Sequence, residues 1–159
     1  LSLCPQLYLA SGWFNPSQKA QMEEAYEVLS GFRDQGAIRL FAPFYDGIVL
    51  SGSTPSERRR RMQEVWELDI GKLSKSALVI VLTQDHDVGT IFESGYASAL
   101  KIPLLCYNSV PELGLNVMLS QEARGFCKTP EELAKAVAGF LEAKNRLEWR
   151  YNLWKGEPF

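Results

Sequence analysis

Five consecutive apolar residues, Leu78-Val79-Ile80-Val81-Leu82, constrain this chain more than any other feature. Three of them are β-branched, and such a run reads as a strand buried on both faces. A strand of that kind needs cover above and below, which implies a parallel sheet between layers of helices. The polar stretch from Thr83 to Gly89 follows as a loop. Thr90 to Leu100 then has helical spacing, with Ile91, Gly95, Ala99 and Phe92, Tyr96 on adjacent rows of one face. In open parallel sheets, ligands bind beyond the carboxyl ends of the strands. Asp87 in the loop and Glu93 in the first helical turn therefore sit where chemistry is expected.

The rest of the chain alternates in the same way. Gln6 to Ala10 predicts the first strand, and Ser11-Gly12 turns the chain at its carboxyl end. Asn15-Pro16-Ser17-Gln18 has the form of a helix start, with Asn as N-cap and Gln reaching back in a capping box. Met22, Ala25, Tyr26 and Leu29 form its apolar stripe. Ala37 to Phe44 predicts a second strand, near the sheet edge because Arg39 interrupts it. A loop over Tyr45 to Ser53 leads to Thr54-Pro55-Ser56-Glu57, which caps a helix reaching about Leu73, with Met62, Val65, Trp66 and Leu73 as its apolar face. Ile102 to Tyr107 is the next strand, Pro111 to Gln121 is irregular or briefly helical, and Gly125 to Cys127 is a short last strand. Thr129 opens a final helix that buries Leu133, Ala136, Val137, Phe140 and Leu141. The expectation is one domain over residues 1–159: a doubly wound, flavodoxin-like parallel five-stranded sheet with helices on both faces. Residues 149–159 form an aromatic tail.

Composition narrows the function classes. The chain has 159 residues, enough for one real core, and a net charge of −2 with both signs mixed along it. That balance argues against a surface for nucleic acid polymers or membranes, which would need a basic excess. No apolar run approaches the roughly 18 residues of a spanning helix, and no secretory leader is read at the start, so a cytoplasmic protein is expected. Cys4, Cys106 and Cys127 are widely spaced and His86 is the single histidine, so buried free thiols are expected and no metal site. No G-x-G-x-x-G or GKS/GKT loop occurs, and no nucleophile elbow accompanies the lone histidine. Arg58 to Arg61 reads as a solvated helix face, with Glu57 and Glu64 nearby.

Several carboxylates remain, each with two readings. Glu93 is a nucleophile or base at the mouth of the sheet, or the capping-box partner of the Thr90 amide. Asp87 is functional or a loop-former. Asp69 falls on the apolar face of its helix, where a carboxylate is either paired or functional. Tyr8 is a core tyrosine or a donor to one of these carboxylates. Carboxylates without histidine or metal suit chemistry at an anomeric carbon, where one captures an oxocarbenium-like centre and an acid protonates the leaving group.

The motifs together resemble the nucleoside 2-deoxyribosyltransferases, in the short form that accepts purines and pyrimidines. The resemblance rests on LYLASGWF (Leu7 to Phe14), VWELDI around Asp69, DVGTIFESGYASAL (Asp87 to Leu100), LNVML around Asn116, and RYNLWKGEPF (Arg150 to Phe159). It implies a cofactor-free, ping-pong exchange of bases between 2′-deoxyribonucleosides in nucleotide salvage. By matching position, Glu93 would carry the 2-deoxyribosyl group, Tyr8 would orient and tune it, and Asp69 and Asp87 would bind substrate, one or both serving the departing base as proton donor. Asn116 would hold the sugar 5′-hydroxyl from a neighbouring subunit, with Met118 beside it. Gly12, Trp13 and Phe14 would line the site. The aromatic tail, ending in Phe159, would close a neighbour's site, in a homo-oligomer that is usually a hexamer. The chain departs from the family pattern in two places. The loop after the second strand lacks the usual amide side chain, so Asp46 or Tyr45 would have to meet the base, and the tail ends in Phe159 where Tyr is usual. Two rivals stay open: a hydrolase of nucleosides or nucleoside 5′-monophosphates from the same superfamily, and a non-catalytic nucleoside-binding module.

Overall fold

Strands and helices alternate as the apolar pattern requires. The computed structural model describes residues 4–50, 54–110 and 114–158; Phe159 and parts of the two loops lie outside them. In chain order the elements are β1 (Gln6–Ala10), α1 (Pro16–Asp34), β2 (Arg39–Phe41), α2 (Pro43–Asp46), α3 (Pro55–Ser74), β3 (Leu78–Leu82), α4 (Val88–Ala99), β4 (Leu104–Tyr107), α5 (Val117–Glu122), β5 (Gly125–Cys127) and α6 (Pro130–Glu142). The strands form one sheet in the order β2-β1-β3-β4-β5, and every pairing is parallel. This is the flavodoxin-like arrangement. The chain winds outward in both directions from β1 and β3, so a crevice opens at their carboxyl ends.

Alternation along the strands separates two cores. Leu7 and Leu9 of β1 and Ile80 and Leu82 of β3 pack with Met22 and Leu29 of α1 and Phe140 of α6. Tyr8, Ala10, Val79 and Val81 face the other way, toward Leu73 of α3, Ala97 of α4 and Leu119 of α5. Both faces of β1 and β3 are therefore buried, as their unbroken apolar runs require. Local caps fix where the helices begin. Asn15, Thr54 and Thr129 each accept a backbone N–H with their side chains, and α3 has a complete capping box through Glu57. The three cysteines are free, with Cys106 and Cys127 buried. No helix among the described residues is long and apolar enough to cross a membrane.

The structure corrects three local expectations. The second strand stops at Phe41, because Pro43 takes the first position of α2 instead of continuing the ladder. The amino-terminal half of α3 stands away from the sheet: Met62 and Trp66 are each 54% exposed, and burial begins at Ile70 and Leu73. The face of α4 is also reversed. Thr90, Ser94 and Ala97 are buried, whereas Ile91, Phe92 and Val88 point outward, Val88 at 82% exposure. Of the apolar stripe read from the sequence, Ile91, Gly95, Ala99 and Phe92 lie on the outer face, and Tyr96 packs partly against the core.

The tail is docked, at least in its first half. Trp149 packs edge-on to Phe140, and Tyr151 extends the sheet by a parallel bridge to Gly125. Trp154 then packs on Phe126. A Cβ at Gly125 would meet the Tyr151 carbonyl at 2.3 Å and Leu105 Cδ1 at 2.9 Å. Gly125→Ala is therefore expected to push the tail off β5 and cost about 1–3 kcal/mol. Urea unfolding of the variant beside the parent measures this directly.

Candidate active site

The register of β1 places Tyr8 on the α4 side of the sheet, fully buried. Its hydroxyl donates to Glu93 Oε1 at 2.8 Å. This contact explains the polar inner face of α4: a carboxylate must turn inward to meet the tyrosine, and small neighbours let the helix approach. Asp87 caps α4, its Oδ2 accepting from the Thr90 amide at 2.8 Å and the Thr90 hydroxyl at 2.9 Å. The helix thus starts earlier than the sequence suggested, and Glu93 lies in its second turn. Thr90 caps nothing, and the dipole of the first turn is not what governs Glu93.

Burial governs it instead. Desolvation raises the Glu93 carboxyl to about 7, against the lowering effect of the Tyr8 hydrogen bond, and the charges of Asp69 and Asp87 raise it further. Burial, with the negative field of Glu93 and Asp69, raises the Tyr8 phenol well above its ordinary value, so Tyr8 stays a neutral donor. Asp69 is raised to about 6, again by burial. Its Oδ1 is buried and has no hydrogen-bond partner among the described residues. A carboxyl raised toward neutrality, with no partner for one oxygen among the described residues, is suited to exchange a proton with something not yet bound.

These groups line a cleft of about 180 Å³ at the carboxyl edge of the sheet, with Ser11, Trp13, Phe14, Asp69, Asp87 and Glu93 on its wall. Gly12 belongs to the same place for a steric reason. A Cβ there would lie 2.7 Å from Gln18 Oε1 and 2.9 Å from Asp87 Cβ, so only glycine lets the β1–α1 turn pass this close to Asp87. A second cavity of about 390 Å³ adjoins the cleft and shares Trp13, Phe14, Pro43 and Asp69 with it.

Other expected residues fall elsewhere. Asp46 turns its carboxylate back onto the Ala42 N–H at 2.9 Å and is absent from the described walls of both cavities. Tyr45 stacks on Tyr26, with ring centroids 3.8 Å apart. Asn116 caps α5 by accepting from Met118 N at 2.9 Å; with Met118 it lines a separate groove of about 640 Å³ between α4 and α5. The described tail residues do not line the Glu93 cleft, and Phe159 lies outside the described residues. The sequence reading missed a buried amide network beneath the site. Gln21 donates to Gln84 and Asn108, Gln84 donates to Ser17, and Gln18 accepts from the Phe14 N–H. The signal was present, since Gln18 and Gln21 share helical spacing with Met22, Ala25 and Leu29, a face otherwise apolar.

The sequence profile of nucleoside 2-deoxyribosyltransferases matches residues 7–128, which carry β1 through β5 and every residue of the cleft wall. The chain belongs to that family. Among solved structures it is similar to the 2-deoxyribosyltransferase of the psychrotolerant bacterium Bacillus psychrosaccharolyticus, with a TM-score of 0.67 and 22% identity over 91% of this chain and 97% of the other. It is also similar to the CMP N-glycosidase of Clostridium botulinum (TM-score 0.52, 16% identity, 84% of this chain and 97% of that one). A conserved protein of Enterococcus faecalis V583 aligns at a TM-score of 0.50 with 16% identity, over 92% and 89% of the two chains. At these identities the likenesses describe the shared fold. No curated protein matches the sequence.

The raised Glu93 carboxyl has a consequence for stability. Folding raises its pKa from 4.5 to about 7, so the folded state binds the proton more tightly than the unfolded chain. Its ionisation therefore costs stability as pH rises from about 4.5 to 7, and the cost levels off above that. Glu93→Gln keeps an acceptor for Tyr8 and removes the titration. Thermal melts should show the variant more stable than the parent at pH 8, by on the order of 1–3 kcal/mol, with the gain shrinking toward pH 5. A gain independent of pH would contradict burial as the cause.

Proposed function

We propose that the chain exchanges the base of 2′-deoxyribonucleosides through a covalent 2-deoxyribosyl intermediate on Glu93. The observation that carries this reading is the Glu93 carboxylate, held by Tyr8 at 2.8 Å and opening on a cleft that also bears Asp69 and Asp87. A Glu93 oxygen attacks C1′ as the C1′–N bond breaks. The electron pair of that bond leaves with the base, which takes a proton from Asp69. A second base then attacks C1′ through its own nitrogen, the ester bond to Glu93 breaks, and the nitrogen's proton returns to Asp69. The cycle is redox-neutral and all its protons are carried within the site. The Tyr8 hydroxyl fixes the plane of the carboxylate and stabilises it each time it becomes the leaving group.

Incubation with deoxyinosine and cytosine is expected to yield deoxycytidine and hypoxanthine in step, read by chromatography. Hypoxanthine with free deoxyribose and no deoxycytidine would assign water as the acceptor, making the chain a hydrolase. Neither product, with nucleoside still bound, would leave a binding module. Glu93→Ala should abolish exchange. The reactive form has Glu93 ionised and Asp69 protonated, the minority arrangement of groups at about 7 and about 6, so the rate should rise with pH up to about 6 and fall above about 7. The two groups interact, so the resulting bell belongs to the pair, with its maximum between those values. Asp69→Asn should lower exchange by about 10²–10⁴-fold and remove the alkaline fall.

The same reading makes the enzyme a homo-oligomer, a hexamer by the family's habit. Support comes from apolar side chains left uncovered on one chain: Val88 and Phe92 of α4, Met62 and Trp66 of α3, and Met118 of α5, at 76% exposure. Asn116, Met118 and the tail lie outside the cleft of their own chain and serve that of a neighbour. Mixing inactive Glu93→Ala with inactive Asn116→Ala subunits, after dissociation and reassembly, should restore part of the activity, because some sites then receive both wild-type residues. No recovery, with mixed oligomers verified by native mass spectrometry, would place Asn116 and Glu93 of one chain in one site.

A further inference from the structure

The cavity beside the Glu93 cleft is larger than a bare base requires. Its volume of about 390 Å³ compares with about 180 Å³ for the cleft itself. That alone lies within the range of about 300–1,000 Å³ typical of pockets that enclose whole drug-sized ligands. Its far wall is Phe44, Ile48, Val49, Leu50 and Val65, with no polar side chain among them. The polar side chains on its described lining, Asp69 and Trp13, both lie at the boundary with the cleft. The wall is made by a close fold-back of the chain. Gly47 donates its N–H to the Pro43 carbonyl at 2.9 Å, and a Cβ on Gly47 would stand 2.3 Å from that oxygen. Arg61 reaches the Val49 carbonyl from α3 at 3.5 Å. Ile48, Val49 and Leu50 nonetheless stay exposed, Val49 at 70%. Apolar side chains gathered around an open cavity favour an apolar occupant.

We propose that this outer cavity receives an apolar substituent on the far edge of the base, and that purines carrying an alkyl or aryl group at position 6 are favoured over unsubstituted adenine. The assignment rests on the reading of Glu93 as the point where the sugar is held. With C1′ at Glu93, the glycosidic nitrogen lies in the cleft, and the six-membered ring of a purine points to the boundary where Trp13 and Phe14 present their rings. Those rings stand 5.1 Å apart between centroids and offer apolar faces to a heterocycle. Asp69, at the same boundary, meets the ring nitrogens. Whatever extends beyond position 6 enters the apolar cavity. An exocyclic amino or oxo group alone meets no polar side chain among the described residues of the far wall, so an apolar substituent gains more there.

The test compares N6-benzyladenine with adenine, by calorimetric binding and, with deoxyinosine as donor, by kcat/KM as acceptors. The benzyl base should bind at least about tenfold more tightly and react with at least about tenfold higher kcat/KM. The ratio should fall toward one in Val65→Phe, which fills the cavity from α3. It should also fall in Val49→Asp, which charges the wall at an exposed position where folding is not at stake. Equal or weaker binding of the benzyl base overturns the assignment, as does a ratio that neither variant moves. Preferential binding without any exchange leaves the assignment standing and removes the transferase reading. Exchange onto adenine without any preference for the benzyl base does the opposite.

Discussion

The site depends on one hydrogen bond placed where water is scarce. Tyr8 is fully buried and its hydroxyl meets Glu93 at 2.8 Å. Taking a carboxylate out of water is costly, and a single neutral donor compensates only part of the cost. The balance is visible in Glu93 itself: burial raises its pKa, the Tyr8 bond lowers it, and burial wins. The result is a carboxylate that is ionised about half the time near neutrality and fixed in orientation. A carboxylate on the surface would be ionised more often but would be solvated and mobile, and in the proposed attack on C1′ desolvating it would add to the barrier.

The rest of the fold follows from keeping that pair together. Tyr8 lies on β1 and Glu93 follows β3, and these strands are neighbours only because β3 crosses over to lie on the far side of β1 from β2. The inner face of α4 is given over to Thr90, Glu93, Ser94 and Ala97, which leaves Val88, Ile91 and Phe92 outside. An apolar outer face on a helix is unfavourable for a lone chain and favourable for an assembled one. The chemistry inside thus shapes the surface outside. Asp87 has two tasks at once. It ends the loop after β3 by capping α4, and it turns a charge toward the cleft, which raises Glu93.

What the sequence revealed divides along the same line. The parallel sheet, its five strands and the edge position of β2 were readable because apolar runs and capping residues answer to local rules. Tyr8, Asp69, Asp87 and Glu93 were readable as candidates; the structure brings the three carboxylates to one cleft, with Tyr8 buried behind it and bonded to Glu93. The orientation of α4 was not readable from periodicity, because that pattern assumes the apolar face is buried and here the carboxylate bonded to Tyr8 occupies the inner face. The same assumption misplaced Met62 and Trp66. Asp46 was misjudged for a different reason: Pro43 nucleates α2, and the Asp46 carboxylate is then taken by the Ala42 amide. The amides of Gln18, Gln21, Gln84 and Asn108 come together only in three dimensions, across separations of up to 87 residues.

Three acidic side chains in one cleft set a condition on any reaction there. A base that leaves C1′ with the bonding electrons would be an anion arriving beside Asp69 and Asp87, and repulsion would hold the bond closed unless a proton arrived with the electrons. In the proposed exchange, attack would also consume the negative charge of Glu93, since the ester it would form is neutral. The cleft therefore tolerates bond breaking only when one proton is already stored near the base. In the proposed exchange Asp69 would carry it: burial raises this carboxyl toward neutrality, and its Oδ1 has no hydrogen-bond partner among the described residues. The unfavourable burial of Asp69 and the leaving of the base are in this sense one event. In the proposed exchange, a base lying against Asp69 would give its unpartnered Oδ1 a group with which to share the proton.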